Sequence, residues 1–451
     1  MNALYETAFR RVLFPAYESV RRRRTLAYLD DYRRDQWLAP EQIAALQWER
    51  LKRLLEHCYR EVPYYRRRWR ELGIAPGDIR NLDDYARLPV LTKTDIRAHF
   101  DELKAESLRD GLLYKATGGS TGEPMRFGYT RESNDRRTAV MWRGYEWAGS
   151  RMGRRTLFLW GGPVGDPTRV HQLKDRLYNT MFARRILNSF RMTEANMAEY
   201  ADAIDRYRPD IVVAYVGPLV QLSQWLIASG RSIWQPQGII GGAEALHEFQ
   251  REAIQKAFGA PVFNTYGCRE FMLIAAECEQ RHGLHVNSDH LLVELRTPHG
   301  AACGHQAGDV VITDLFNYGM PFVRYANGDT ATLSAQPCAC GRGLPLVERV
   351  DGRVLDAIRT PDGHVLPGEF FPHMLKDVPG LQRFQLVQRR LDRLDLSIVR
   401  GAGFDEASLE YIRNEVDKVL GDSVQLHCHF VDDIPLTRSG KLRVTVSELA
   451  P

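Results

Sequence analysis

Five short apolar runs between residues 156 and 313 constrain this chain more than any other feature. The runs Thr156–Trp160, Ile211–Tyr215, 238–240, 262–264 and 309–313 are too short for helices and mostly too apolar for strands with one wet face. Residues 198–207 and Glu248–Phe258 read as helices between them. That alternation predicts an α/β core with much parallel sheet. The flanks read differently. Ile43, Leu46, Leu51, Leu54 and Leu55 recur at helical spacing, and residues 1–100 read mostly as helix, punctuated by Pro63, Pro76 and Pro89. Beyond about 350 the runs 384–387, 394–399 and 424–431 are strand-like and 408–420 is helix-like, which predicts a small α+β unit. A chain of 451 residues exceeds one ordinary domain. The expected organisation is a helical segment over 1–100, an α/β core over 101–350 and a small mobile lid over 351–451.

Charge is distributed unevenly. The chain carries 61 Lys or Arg against 57 Asp or Glu, yet residues 1–70 alone carry a net +7 and the remainder about −3. The excess sits at 21–24 and 66–68, among Tyr17, Tyr28, Tyr64, Tyr65 and Trp69. Two readings stand: a solvated helical face with Arg stems over apolar surface, or peripheral attraction to anionic lipid or an acidic partner. No nucleic-acid motif accompanies the charge, so nucleic acid is not an expected partner. Seven cysteines are few and odd in number, which argues against a disulfide framework. No run of 18 apolar residues occurs, and the first twenty residues lack a signal peptide's apolar stretch and cleavage site. A cytoplasmic location is the expectation.

The segment Thr117-Gly118-Gly119-Ser120-Thr121-Gly122-Glu123-Pro124 holds three glycines and three hydroxyl residues in six positions. Glycine lets backbone N–H groups turn towards an anion, and hydroxyls add donors. The loop lacks the ending of a Walker motif and does not match a dinucleotide fingerprint. It resembles the phosphate-binding loop of the adenylate-forming superfamily, Ser/Thr-Gly-Ser/Thr-Thr-Gly-x-Pro. Three further resemblances follow in that family's order: Tyr266-Gly267-Cys268-Arg269-Glu270, Arg324-Tyr325-Ala326-Asn327-Gly328-Asp329, and Pro435-Leu436-Thr437-Arg438-Ser439-Gly440-Lys441-Leu442. Leu88-Pro89-Val90-Leu91-Thr92-Lys93, Gly242-Ala243-Glu244 and Gly352-Arg353 resemble the phenylacetate–CoA ligase branch, which includes proteins of capsular-polysaccharide clusters.

The resemblance implies ATP-dependent activation of a carboxylic acid as acyl-AMP, followed by transfer to CoA, a carrier-protein thiol, an amine or a sugar hydroxyl. Positioning and electrostatic stabilisation are what such chemistry asks of a protein. By resemblance, Thr117, Gly118, Gly119, Ser120, Thr121 and Gly122 hold the β- and γ-phosphates, and Glu270 binds Mg²⁺. Tyr266 and Gly267 lie near adenine or the α-phosphate, Asp329 accepts from the ribose hydroxyls, and Ala243 and Glu244 line the adenine pocket. Lys441 reaches the α-phosphate during adenylation and leaves as the small domain rotates, so Lys441, Glu270 and Thr121 are the expected catalytic residues. Arg353 is expected near the nucleotide. Arg324 either supports the nucleotide or makes a structural ion pair, and His171 is a candidate for the acid pocket. The pocket walls are expected from 160–167, 215–218 and 241–244.

Two positions depart from the family pattern. Glu123 stands where Lys is frequent, and Leu355 stands at the usual hinge carboxylate, with Asp356 following. The stretch Arg359-Thr360-Pro361-Asp362-Gly363-His364 replaces the family's Arg-Gly-x-Asn, so adenylation is better supported than thioester formation. Rival readings are a nucleotidyl transferase that keeps AMP on its product, and a non-catalytic nucleotide-binding protein of an envelope-polysaccharide assembly. Separately, Cys338-Ala339-Cys340-Gly341 with Cys278 and His285 could supply the Cys₃His donors of a structural zinc, with His282 and Cys303 as competing ligands. Cys268 reads as pocket wall rather than nucleophile.

Overall fold

The computed structural model describes residues 3–116, 125–160, 169–189, 192, 194–297, 300–301, 306–334, 336–353, 358–361, 365–366, 371, 375, 378–435 and 444–449. A twelve-stranded sheet organises them. One half is parallel, in the spatial order Arg184–Asn188, Thr156–Trp160, Ile211–Tyr215, Gly238–Gly242, Val262–Tyr266. The predicted apolar runs supply four of these five strands. Ile211–Tyr215 and Gly238–Gly242 are buried along their whole length. Such burial follows from crossover helices that cover the sheet's faces. Arg169–Met181, Met197–Tyr207, Val216–Ser229 and Glu248–Phe258 are the crossovers, and the last three pack Ile204, Leu219, Leu222 and Ile254 against Leu157, Leu159, Val212 and Ile239. The other half is antiparallel and continues through Ala275–Glu277, Leu284–Val286, Leu346–Arg353, Tyr325–Leu333, Ala307–Asp314 and Leu291–Thr297 to Gly300–Ala301.

The helical reading of the first hundred residues holds. Pro40–Glu61 buries Ile43, Leu51, Leu54 and Leu55, the face that the spacing predicts. Charged residues fasten this segment and the helix Arg131–Trp147 to the sheet. The Arg143 guanidinium is fully buried, 2.5 Å from Asp289 Oδ2 and donating to the Tyr32 carbonyl. Arg137 pairs with buried Asp314 at 2.8 Å, and Arg251 with buried Glu277 at 2.7 Å. A charge inside a low-dielectric core is tolerated only when paired and hydrogen-bonded, so each pair fixes the register of two distant segments.

The C-terminal residues form their own four-stranded sheet, in the order Gln425–Phe430, Arg393–Arg400, Leu381–Arg390, Thr445–Ser447. Its core joins Leu386, Leu394, Leu396 and Ile398 to Ile412 and Val416 of the helix Glu406–Leu420. Among the described residues no helix is long and apolar enough to cross a membrane.

Candidate active site

Trp160, Tyr215, Gly242 and Tyr266 end four adjacent parallel strands, so the sequence motifs converge on one carboxyl edge of the sheet. In open α/β sheets that edge is where ligands bind. Tyr266 is buried, and its hydroxyl donates to Asp329 Oδ2 at 2.8 Å. Asn327 Nδ2 donates to the same tyrosine oxygen at 2.7 Å and to Asp329 Oδ2 at 2.6 Å, while the Asp329 amide donates to Asn327 Oδ1 at 3.1 Å. Burial, and then the Asp329 charge, push the Tyr266 phenol well above its ordinary range, so it stays a donor. Glu270 is buried beside this trio and accepts from the Tyr325 hydroxyl at 3.0 Å. Gly267 is required by space, because a Cβ there would lie 2.0 Å from the Met272 carbonyl oxygen. Asp329 faces Arg353 in strand register, which brings the Gly352-Arg353 motif to the same edge.

The next wall is aromatic. The rings of Trp160 and Tyr215 stack at 4.0 Å with an interplanar angle of 27°. Gly242 lies against Thr265 Oγ1 and within reach of Trp160, and Ala243 follows in the left-handed region at φ 68°. Glu244 turns back to accept from the Gly217 amide at 2.5 Å. It thereby caps the first turn of Val216–Ser229, where a helix favours negative charge. Burial, followed by the Glu244 charge, raises the Tyr215 phenol.

Two cations that the sequence reading passed over, Lys115 and Arg269, act on one another, and Arg269 also acts on Tyr215 of this wall. Lys115 sits on Leu113–Ala116, the strand entering the Gly/Ser/Thr loop, with Nζ 5.0 Å from the Tyr129 ring centroid. Burial lowers the Lys115 ammonium, and the charges of Arg137 and Arg269 lower it further. Arg137 is neutralised by Asp314, whereas neither Lys115 nor Arg269 has a carboxylate partner among the described residues. The only sequence signal for Lys115 was its place two residues before the loop.

Arg324 is a correction. Its guanidinium is buried and donates to Glu294 at 3.1 and 2.8 Å and to the Ala86 and Leu88 carbonyls. Of the two readings, the structural ion pair is the one its surroundings describe. Cys268 is half-buried, and burial, followed by the Glu270 charge, raises its thiol well above the ordinary range, as suits pocket wall rather than a nucleophile. His171 falls on the helix Arg169–Met181. Thr117 to Gly122, Glu123, Cys303, Leu355, Asp356 and Lys441 lie outside the described residues.

Cys278, His285, Cys338 and Cys340 come together with their donor atoms all within 4.8 Å of one another. Cys278 Sγ is 3.6 Å from Cys338 Sγ, and Cys340 Sγ is 3.2 Å from His285 Nε2. His285 Nδ1 lies 3.1 Å from the Leu344 carbonyl, which fixes the tautomer with its lone pair on Nε2, towards the sulfurs. Burial pushes this imidazole down to about 4, so it is neutral at pH 7. Burial raises the Cys340 thiol, but the Arg342 amide and guanidinium outweigh it and hold the thiol below its ordinary value. His282 is exposed and stands outside the group.

Comparison with known proteins agrees with this geometry. The family described as the CapK C-terminal domain matches residues 358–448. Phenylacetate-coenzyme A ligase of Thermus thermophilus is 30% identical over 400 residues, 86% of each chain. Protein CapK of Staphylococcus aureus is 22% identical over 367 residues, 80% of each. In fold, 2-hydroxyisobutyryl-CoA ligase in its postadenylation state aligns with a TM-score of 0.74 at 20% identity, covering 92% of this chain and 91% of that one. The same ligase in its thioesterification state aligns at 0.62.

Proposed function

We propose that this chain, because it belongs to the phenylacetate–coenzyme A ligase family, is an AMP-forming ligase that activates an aromatic carboxylic acid and passes the acyl group to coenzyme A. The observation that carries the reading is the Tyr266–Asn327–Asp329 trio with the Glu270–Tyr325 pair at the carboxyl edge, where the strands Val262–Tyr266 and Tyr325–Leu333 meet the motif turns. In the first step the acid's oxygen attacks the α-phosphorus of ATP, the bond to the bridging oxygen breaks, and pyrophosphate leaves. In the second, the thiolate of coenzyme A attacks the acyl carbon and AMP leaves.

Asp329 has the chemistry to accept from ribose hydroxyls, and Tyr266 and Asn327 hold its carboxylate in place for that task. Glu270 is the carboxylate suited to Mg²⁺, which when bound would neutralise charge on the phosphates. The loop from Thr117 to Gly122 would cradle those phosphates, and Lys441 would bring its charge to the α-phosphate. Lys115, two residues before the loop, and Arg269, which acts on Lys115, would supply positive charge where Glu123 replaces the family's lysine. Trp160 and Tyr215 offer a planar wall suited to an aryl acid. The segment 351–451 would rotate between the steps, carrying Lys441 in and out.

The thiol cluster fits a structural zinc. Three thiols and a neutral imidazole are the donors zinc prefers, and the sulfur–sulfur spacing of 3.6 Å and the sulfur–nitrogen spacing of 3.2 Å compare with the roughly 3.8 and roughly 3.6 Å that such atom pairs keep around one tetrahedral ion. Bound there, zinc would tie the turn at 338–341 to the strand Leu284–Val286 beside the nucleotide strands. It would take no part in the chemistry.

The test is acid-dependent exchange of labelled pyrophosphate into ATP across aryl, fatty, amino and hydroxy acids, followed by thioester detection with coenzyme A. Exchange restricted to aryl acids, with thioester formed, is the expected result. Exchange without thioester would leave adenylation standing and move the acceptor to an amine, a hydroxyl or a carrier thiol. No exchange with any acid, despite Mg·ATP binding, would overturn the reading.

A further inference from the structure

The first two helices present an aliphatic stripe to solvent, flanked by arginines without carboxylate partners. Residues 3–24 contain six arginines and two glutamates. Both glutamates are engaged inward: Glu6 pairs with Arg154 at 3.1 Å, and Glu18 accepts from the Thr25 amide at 2.5 Å. Arg23 pairs with Asp135 at 2.7 Å. Among the described residues Arg10, Arg11, Arg21, Arg22 and Arg24 have no carboxylate partner, and all but half-buried Arg10 are exposed.

The inner face is already filled. Phe9, Phe14 and Tyr17 pack around Phe182 at ring separations of 5.2, 5.7 and 5.5 Å. In a regular α-helix residues 9 and 14 would stand about 140° apart. The wide π-helical turn Phe9–Leu13 brings both onto the inner face. The outer face therefore carries Leu4, Ala8, Val12, Ala16 and Val20, one every fourth residue. All five are exposed, with Leu4 at 78%, Val12 at 62% and Val20 at 82%. The stripe runs about 24 Å. Tyr17 also touches Tyr178 of Arg169–Met181, a helix that exposes Leu173 and Leu177. Scattered surface aliphatics need no explanation, but a continuous row does. At the far end of the stripe an open cleft of about 510 Å³ is lined by Val20, Arg21, Arg22 and Arg131 among others.

We infer that this face docks the protein on the surface of an anionic phospholipid bilayer, with the aliphatic row dipping into the headgroup region and the arginines meeting lipid phosphates. Charge complementarity selects this occupant. A row of aliphatics edged by unpaired guanidinium groups is the arrangement of helices that lie in the plane of a membrane interface. The inference is independent of the reaction assigned above.

Co-sedimentation of the full-length protein with vesicles tests it. Vesicles containing phosphatidylglycerol should bind and phosphatidylcholine alone should not, with binding weakening as salt rises. Replacing Arg11, Arg21 and Arg22 by Gln should cost about fivefold in affinity for each arginine removed. Val12→Asp with Val20→Asp should abolish binding while leaving the unfolding temperature and pyrophosphate exchange unchanged, because both side chains point away from the core. No binding to anionic vesicles, or equal binding by these variants, overturns the inference. So does a dimer in sedimentation equilibrium that Val12→Asp converts to monomer, since a second copy would then cover the face.

Discussion

The Tyr266–Asn327–Asp329 cluster and the Cys278–His285–Cys338–Cys340 cluster hang from the same twelve-stranded sheet, yet they converge for different physical reasons. In the first, a phenol, an amide and a carboxylate hold one another through hydrogen bonds of 2.6–2.8 Å. A hydroxylic ligand can join or replace these bonds, so the site suits binding and release. In the second, three sulfurs and one imidazole approach within 4.8 Å with only weak hydrogen bonding among them. Sulfur is a poor hydrogen-bond partner, so the side chains themselves give little reason to gather. A shared metal would supply one. The difference teaches that exchangeable polar contacts suit a ligand that comes and goes, whereas convergent soft donors with a fixed tautomer suit a permanent tie.

The largest effect should separate the two at once. Lys441→Ala should reduce pyrophosphate exchange about 10²–10³-fold, as loss of a charge aimed at the reacting phosphate does, with zinc content and unfolding temperature unchanged. A fall in stability of similar size to that of a cysteine variant would break the division. Cys340→Ser or exhaustive chelation should do the reverse. Zinc measured by emission spectroscopy should be lost and the unfolding midpoint should fall by roughly 5–10 °C, while exchange at low temperature persists. Absence of zinc from the unmodified protein, with a midpoint that neither Cys340→Ser nor chelation moves, would leave the thiols a reduced group without an ion.

Acidification should act on the thiol cluster through His285 and, next to the sheet that carries both clusters, through His290. His290 is fully buried, and burial pushes its imidazole down to about 4, with Arg137 and Arg136 favouring the neutral form and Asp314 and Asp289 opposing them. Its Nδ1 lies 2.7 Å from the Tyr32 hydroxyl. The unfolded chain binds a proton near pH 6.5 and the folded chain only near 4, so this stability is present above 6.5 and lost as pH falls towards 4. The loss is on the order of 3 kcal/mol. Urea denaturation between those limits should show it, and His290→Gln should remove that share of the slope and leave the share due to His285. The smallest effect is the sharpest for the nucleotide site. Lys115→Met should weaken Mg·ATP binding about tenfold and leave AMP binding unchanged, by calorimetry, since one charge-assisted contact to the outer phosphates is lost. An equal loss for AMP would place Lys115 elsewhere in the pocket.

Much of the fold was legible because its cause is local. Alternating apolar runs and amphipathic helices report burial directly, and Thr156–Trp160, Ile211–Tyr215 and Glu248–Phe258 stand as the pattern predicts. The strand Arg184–Asn188 escaped notice because it lies at the sheet's edge, where its two arginines, half-exposed, break the apolar run. Glu244 reads as an adenine neighbour in its motif, and no pattern could foretell that its carboxylate also accepts from a helix amide.

By itself the sequence determined the order of motifs, the division of apolar patterning and which residues carry useful chemistry, because these depend on residue type and spacing along the chain. The tertiary structure alone decided that Arg324 faces Glu294 and not a nucleotide, that His285 rather than His282 joins the three cysteines, that Lys115 stands without a carboxylate partner among the described residues, and that the π turn at Phe9–Leu13 leaves an aliphatic row in solvent. Each of these depends on the direction of a side chain and on partners tens or hundreds of residues away. Burial and charge compensation fix those directions only when the whole chain has packed.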